Sequence, residues 1–321
     1  MNRVNIFLLR FKFYRDLMLW SQRTILPGFD GMPLYYVGGF FIQEIQKESL
    51  NTKATSLSFT FLLALFPGII FLFTLIPYIP IEDFQDQLLI LLSQLLPRNV
   101  QGAMETTIIQ IIKQQNGGLL SIGFFTAIYF STNGLVALMK AFNKSTLVKE
   151  SRGFFRQRGL ALILTFSMSI LLLVGIGMIA GGEYLVDFLR SEKIIQGKLF
   201  YYFLLALRWV IILAVFFIAI SMLYYYGPNN KEKFRFISAG STLATFLVIL
   251  TSLVFAFYIN NFASYNKIYG SIGTLIVVML WLYINSLILL IGFELNASIS
   301  LTQLNLPLGK GKKKENTLLN T

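Results

Sequence analysis

The stretch Ile272–Asn296, IGTLIVVMLWLYINSLILLIGFELN, decides the fold of this 321-residue chain. Its one side chain charged at neutral pH, Glu294, stands near its end. About 20 predominantly apolar residues suffice for a helix to cross the hydrocarbon core of a bilayer, so this segment reads as a membrane span. Working outward from it, five more stretches meet the same test: Thr55–Tyr78, Gly118–Phe142, Gly159–Gly181, Phe203–Tyr226 and Phe236–Ile259. Punctuation marks several of the ends. Pro77 and Pro80 close the first, Gly181-Gly182 the third and Gly227-Pro228 the fourth. The predicted fold class is an all-α integral membrane protein, a six-transmembrane helical bundle.

Composition agrees. The chain is 55% hydrophobic and 13% charged, against roughly a quarter charged in soluble domains. It has no cysteine and no histidine, so disulfides, thiolate chemistry, imidazole bases and the commonest metal ligands are excluded. The amino terminus is not read as a cleavable signal peptide, because Arg10, Lys12, Arg15 and Asp16 interrupt its apolar residues.

Charge orients the spans. With the amino terminus inside, twenty Lys and Arg residues fall in cytoplasmic segments, six fall outside, and Arg208 lies within a span. This is the positive-inside pattern, and it places both termini in the cytoplasm. It also accounts for the net charge of +12: the cations cluster beside span ends, where they attract anionic lipid headgroups rather than nucleic acid. The expected partners are membrane lipids, preferentially anionic, with no nucleic acid; homo-oligomerisation is left open.

Three regions flank the spans. Residues 1–54 read as cytoplasmic, interfacial amphipathic helices: residues 1–24 mix apolar and basic positions, and Leu34–Gln46 carries Val37, Phe41 and Ile45 at four-residue spacing. Between spans one and two, residues 81–116 read as an extracytoplasmic helical hairpin divided at Pro97. Residues 55–296 form the membrane domain. Residues 297–321 read as a disordered basic tail carrying the run Lys310–Lys314.

Several segments, in this order, resemble the YihY/BrkB family of bacterial inner-membrane proteins, some of which have been labelled ribonuclease BN. They are SFTFLLALFP (Ser58–Pro67), STNGLVALMKAFN (Ser131–Asn143) followed by the basic stretch Arg152–Arg158, YYYGPN (Tyr224–Asn229), FISAGS (Phe236–Ser241), YGSIGTLIVVMLWLY (Tyr269–Tyr283) and GFELNA (Gly292–Ala297). The resemblance covers roughly residues 30–300 and implies a six-helix membrane fold in a bacterial plasma (inner) membrane. It also implies a transport role for a lipid or another envelope component, without naming the substrate.

Polar residues inside the spans are the candidate pathway or substrate-contacting residues, because a charged or amide group in hydrocarbon must face protein or water. Thr126, Asn133 and Lys140 are seven apart and share a helical face. The functional reading makes that face the wall of a polar cavity open to anionic lipid; helix–helix hydrogen bonding is the plainer account. Glu294 is expected to pair with Lys140 at matching depth. Asn285, nine residues before Glu294, falls on a different face. Arg208 either captures an anionic headgroup, snorkels, or pairs with Glu183 or Asp187. Pro67 is a candidate hinge, and Gly240 with Ala244 permits close helix approach.

Three function classes follow: a transporter or flippase, a non-transporting membrane scaffold or envelope assembly factor, and an enzyme. The nuclease form of the last is disfavoured, since the cytoplasmic acids are scattered one or two per segment and no histidine joins them. No catalytic residue, metal or cofactor is expected.

Overall fold

Hydropathy windows stop at charges, but the helical hydrogen bond does not, and the spans turn out longer at several ends than their apolar cores. The computed structural model describes residues 12–46, 48–78, 115–145, 151–180, 198–229, 235–261 and 265–305. In these residues the chain forms α1 (Lys12–Arg23), α2 (Leu34–Ile45), α3 (Glu48–Leu75), α4 (Gly117–Ser145), α5 (Phe154–Ala180), α6 (Lys198–Tyr226), α7 (Ala239–Asn261) and α8 (Tyr265–Asn305). Helices α3 to α8 are each long and apolar enough to cross a membrane. The molecule is a helical integral membrane protein.

Several limits move relative to the expected spans, among them the start of α6 at Lys198 rather than Phe203 and of α8 at Tyr265 rather than Ile272. Helix α3 begins at Glu48 rather than Thr55, so Lys53 lies inside it; α5 begins at Phe154 rather than Gly159, so Arg156 and Arg158 lie inside it. Helix α8 runs without a break past Asn296 to Asn305. The hairpin expected over 81–116 and the tail run Lys310–Lys314 lie outside the described residues, apart from Gln115 and Asn116.

The six long helices pack in a ring. Each contacts its neighbour in sequence, and α8 closes the ring on α3 while touching α4. Glycines set the closest approaches. A Cβ at Gly123 of α4 would stand 3.2 Å from the Phe71 Cα of α3. At the α7–α8 crossing, a Cβ on Gly292 would lie 2.7 Å from the Ala244 Cβ and 2.8 Å from the Gly240 carbonyl oxygen. The small-residue pair in α7 thus does what its spacing predicts.

The main core gathers toward the end of the bundle that bears both the start of α3 and the end of α8. Leu50, Ala54 and Leu57 of α3 meet Phe142 of α4, Tyr224 of α6 and Phe293 of α8 there. Beyond it, α8 is covered on one side. Leu295 and Ile299 pack with Phe29, Met32 and Val37, and Phe41 joins from α2. The four-residue stripe read in α2 is the face it uses: Val37 is fully buried, and Ile45 packs on the main core.

Candidate functional site

Most of the segments quoted for the family resemblance meet at this end of the bundle, whereas Tyr269–Tyr283 lies in the opposite half of α8. Phe142 stacks on Phe293 with ring centroids 4.1 Å apart, and Tyr224 meets both edge-on at 5.6 and 5.7 Å. The Tyr224 hydroxyl donates to the Leu289 carbonyl at 2.7 Å, tying α6 to α8. Just past α6, the Asn229 N–H donates to Asn143 Oδ1 at 2.7 Å, and Arg152 donates to the Gly227 carbonyl at 2.9 Å. Helix α7 opens where Asn296 of α8 accepts from the Gly240 N–H at 2.8 Å and donates to Ser238 Oγ at 2.9 Å. A side chain from α8 thereby satisfies one of the donors a helix start leaves open.

One ion pair is built into this packing. Lys53 Nζ of α3 stands 3.6 Å from Glu294 Oε1 of α8, with side-chain exposures of 12% and 2%. The expected partner was Lys140. The finding corrects this: Phe142 turns inward onto Phe293, and Lys140, two residues earlier and so on the other side of α4, is exposed. Lys53 escaped the sequence reading because it falls before the apolar run of span one.

The Thr126–Asn133–Lys140 face also differs from expectation. Ile122, Phe125 and Tyr129 lie on that side of α4 and are 64%, 68% and 56% exposed, so it looks out of the bundle rather than into a cavity. Thr126 Oγ1 donates within its own helix, to Ile122 and Gly123. Asn133 is satisfied by another span: Arg158 of α5 donates to its Oδ1. A partner on α5, invisible in the α4 sequence, removes the reason for Asn133 to face inward.

The other candidates are placed as follows. Asn285 Nδ2 donates to the Trp281 carbonyl of its own helix at 2.8 Å. Arg208 lies with its Cζ 6.0 Å from the Trp209 ring centroid, and its candidate partners Glu183 and Asp187 fall outside the described residues. Helix α3 continues through Pro67. Among the described residues, no three acidic side chains gather where they could hold a metal ion.

A cavity of about 420 Å³ opens elsewhere, between α3, α4, α5 and α6. Phe61, Leu135, Met168, Val215 and Phe216 contribute to its mainly apolar wall, with Ser131, Thr165 and Ser169 as polar exceptions. Thr126, Asn133 and Lys140 are not in its lining. Two lining residues, Leu172 and Phe216, are 62% and 37% exposed, so the cavity is a recess continuous with the outer surface.

A ring of six apolar helices with its core at one end and a recess in its flank defines a multi-pass α-helical membrane protein. The family model described as Virulence factor BrkB matches residues 41–317, and the chain belongs to that family. It is 35% identical over 247 residues to YfkH of Bacillus subtilis, a protein whose name calls it ribonuclease-like; the match covers 77% of this chain and 89% of the relative. It is 26% identical over 268 residues to a UPF0761 membrane protein of Vibrio campbellii, covering 81% of each. A second UPF0761 membrane protein, from Pseudoalteromonas atlantica, is 25% identical over 266 residues, 79% of this chain and 83% of the relative. No solved structure matches.

Proposed function

We propose that this protein moves a lipid or lipid-like envelope component across a bacterial inner membrane, with both termini in the cytoplasm. The observation that carries the reading is the recess between α3, α4, α5 and α6. Its volume falls within the roughly 300–1,000 Å³ of small-molecule clefts. Its apolar wall and lateral opening suit an acyl chain entering from the bilayer, and do not suit a polar solute entering from water. The closed aromatic packing of Phe142, Tyr224 and Phe293 would then be one side of an alternating cycle. That same closure, with its buried ion pair, supports the second reading, a non-transporting scaffold.

The test is a vesicle assay. The purified chain is reconstituted with a fluorescent phospholipid, and transbilayer movement is followed by quenching from outside. Ala64→Trp and Ala219→Trp place bulk in the recess wall, and each should slow movement by roughly tenfold or more, about 1.4 kcal/mol in barrier height, without lowering expression. Movement at the wild-type rate in both variants rejects the recess as the path. A wild-type protein no faster than empty vesicles transfers the conclusion to the scaffold.

A further inference from the structure

Among the described residues, Arg158 is a cation held by an amide and two aromatic rings of two different helices. Arg158 lies in the third candidate span, Phe154–Gly175, rather than in a loop. Its guanidinium carbon sits 5.5 Å from the Phe154 ring centroid and 5.7 Å from that of Tyr129, and it donates to Asn133. Two helices therefore hold it: Phe154 comes from α5 itself, and Tyr129 and Asn133 from α4. Among the described residues no carboxylate pairs with it. Phe154 and Tyr129 are 66% and 56% exposed, so the charge lies on the outside of the bundle, where hydrocarbon or headgroups meet it.

An arginine in that position is unfavourable unless something compensates the charge. An amide oxygen and two ring faces orient a guanidinium and relieve part of its desolvation, but they carry no full negative charge. Asn133 accepts one hydrogen bond from Nη1, and a guanidinium has five N–H donors in a planar fork. Such a fork matches the oxygens of a phosphate, which it can engage through two parallel bonds. Lys140 is exposed on the same side of α4 as Asn133, about 10 Å along the helix toward the end that bears the start of α3. Arg156 is exposed nearby on α5.

We propose that Arg158, held by Asn133, Tyr129 and Phe154, is the binding site for the phosphate of an anionic phospholipid on the α4–α5 surface. By the charge count, this phospholipid belongs to the cytoplasmic leaflet. The site is separate from the recess residues and does not require that the protein transport anything. Phosphate chemistry alone would also admit inorganic phosphate. Membrane embedding favours the lipid, because a free anion must leave water to reach a residue within a span.

Native mass spectrometry on the full-length purified protein tests this, with phosphatidylglycerol and phosphatidylcholine added in equal amounts. Wild-type protein should retain phosphatidylglycerol over phosphatidylcholine by roughly tenfold, and Arg158→Gln should bring the two near parity. Arg158→Lys keeps the charge but loses the fork, and Asn133→Ala loosens the grip; each should reduce the preference by about threefold. Inorganic phosphate at matching concentration should displace none of the lipid. An unchanged preference in Arg158→Gln overturns the proposal, as does displacement by inorganic phosphate, which would make it an aqueous anion site. Should Arg158→Gln fail to yield folded protein, the Lys and Asn133→Ala variants decide, and full preference in both overturns it.

Discussion

Replacing Lys53 with methionine removes one member of a pair that α3 and α8 bury together. The Nζ–Oε1 separation is 3.6 Å and the Glu294 side chain is 2% exposed. At an effective dielectric of about 20, two unit charges at that distance attract by roughly 4–5 kcal/mol, before the desolvation that offsets it. The pair as a whole is therefore close to neutral, while breaking it takes the Lys53 charge away from a buried carboxylate. Such a loss typically amounts to about 3–5 kcal/mol, which for a chain this size corresponds to a drop of roughly 5–15 °C in midpoint. Methionine keeps an unbranched apolar stem of similar length, so packing contributes little to the change. Removing both charges, as Lys53→Met with Glu294→Gln, should restore most of the midpoint. The readout is the monodisperse fraction of purified protein after graded heating, for wild type, both single variants and the double. A double variant whose loss equals the sum of the two single losses would show no coupling and refute the pair as a stabilising unit.

Three further outcomes are expected. Gly292→Ala places a methyl 2.7 Å from the Ala244 Cβ and 2.6 Å from the Tyr224 hydroxyl; it should cost about 1–3 kcal/mol by overpacking. Gly39→Ala in α2, where nothing lies within 4 Å, should be neutral or stabilising by up to ~1 kcal/mol in the same thermal assay. Cysteines introduced singly at Gln101, Gly197 and Asn316 test the orientation, since the chain has none of its own. An impermeant thiol reagent on intact cells should reach the first two and spare the third, and labelling at 316 would invert the topology.

How much of this was legible in the sequence depended on what each residue answers to. Span number answers to bilayer thickness, and the six apolar runs reported it. Helix limits answer to backbone hydrogen bonding, which continues through Lys53 and Arg158 although hydropathy stops short of both. The small pair Gly240 and Ala244 predicted a close crossing, but its partner Gly292 sat unread inside the motif GFELNA. Asn133 and Glu294 were correctly marked as needing company. Their partners, Arg158 and Lys53, come from other helices at positions counted as loop. Depth alone matched Glu294 to Lys140, and only the rotation of α4, fixed by Phe142 facing Phe293, excludes that choice. The flank recess had no sequence signal, because its walls are ordinary apolar residues from four helices.

Helix α8 spans 41 residues, about 60 Å at 1.5 Å per residue and roughly twice the thickness of a bilayer core. Its tightest contact, where Gly292 presses on Gly240 and Ala244, does not lie at its middle. From that point the rod extends about 20 Å to Asn305 on one side and about 40 Å to Tyr265 on the other. The contact is a fulcrum with unequal arms. The short arm is the one gripped by α2 and by Phe29 and Met32. A rigid tilt about this fulcrum moves the far end twice as far as the gripped end. A displacement of about 1 Å at Asn305 would therefore arrive as about 2 Å at Tyr265, at the far end of the rod.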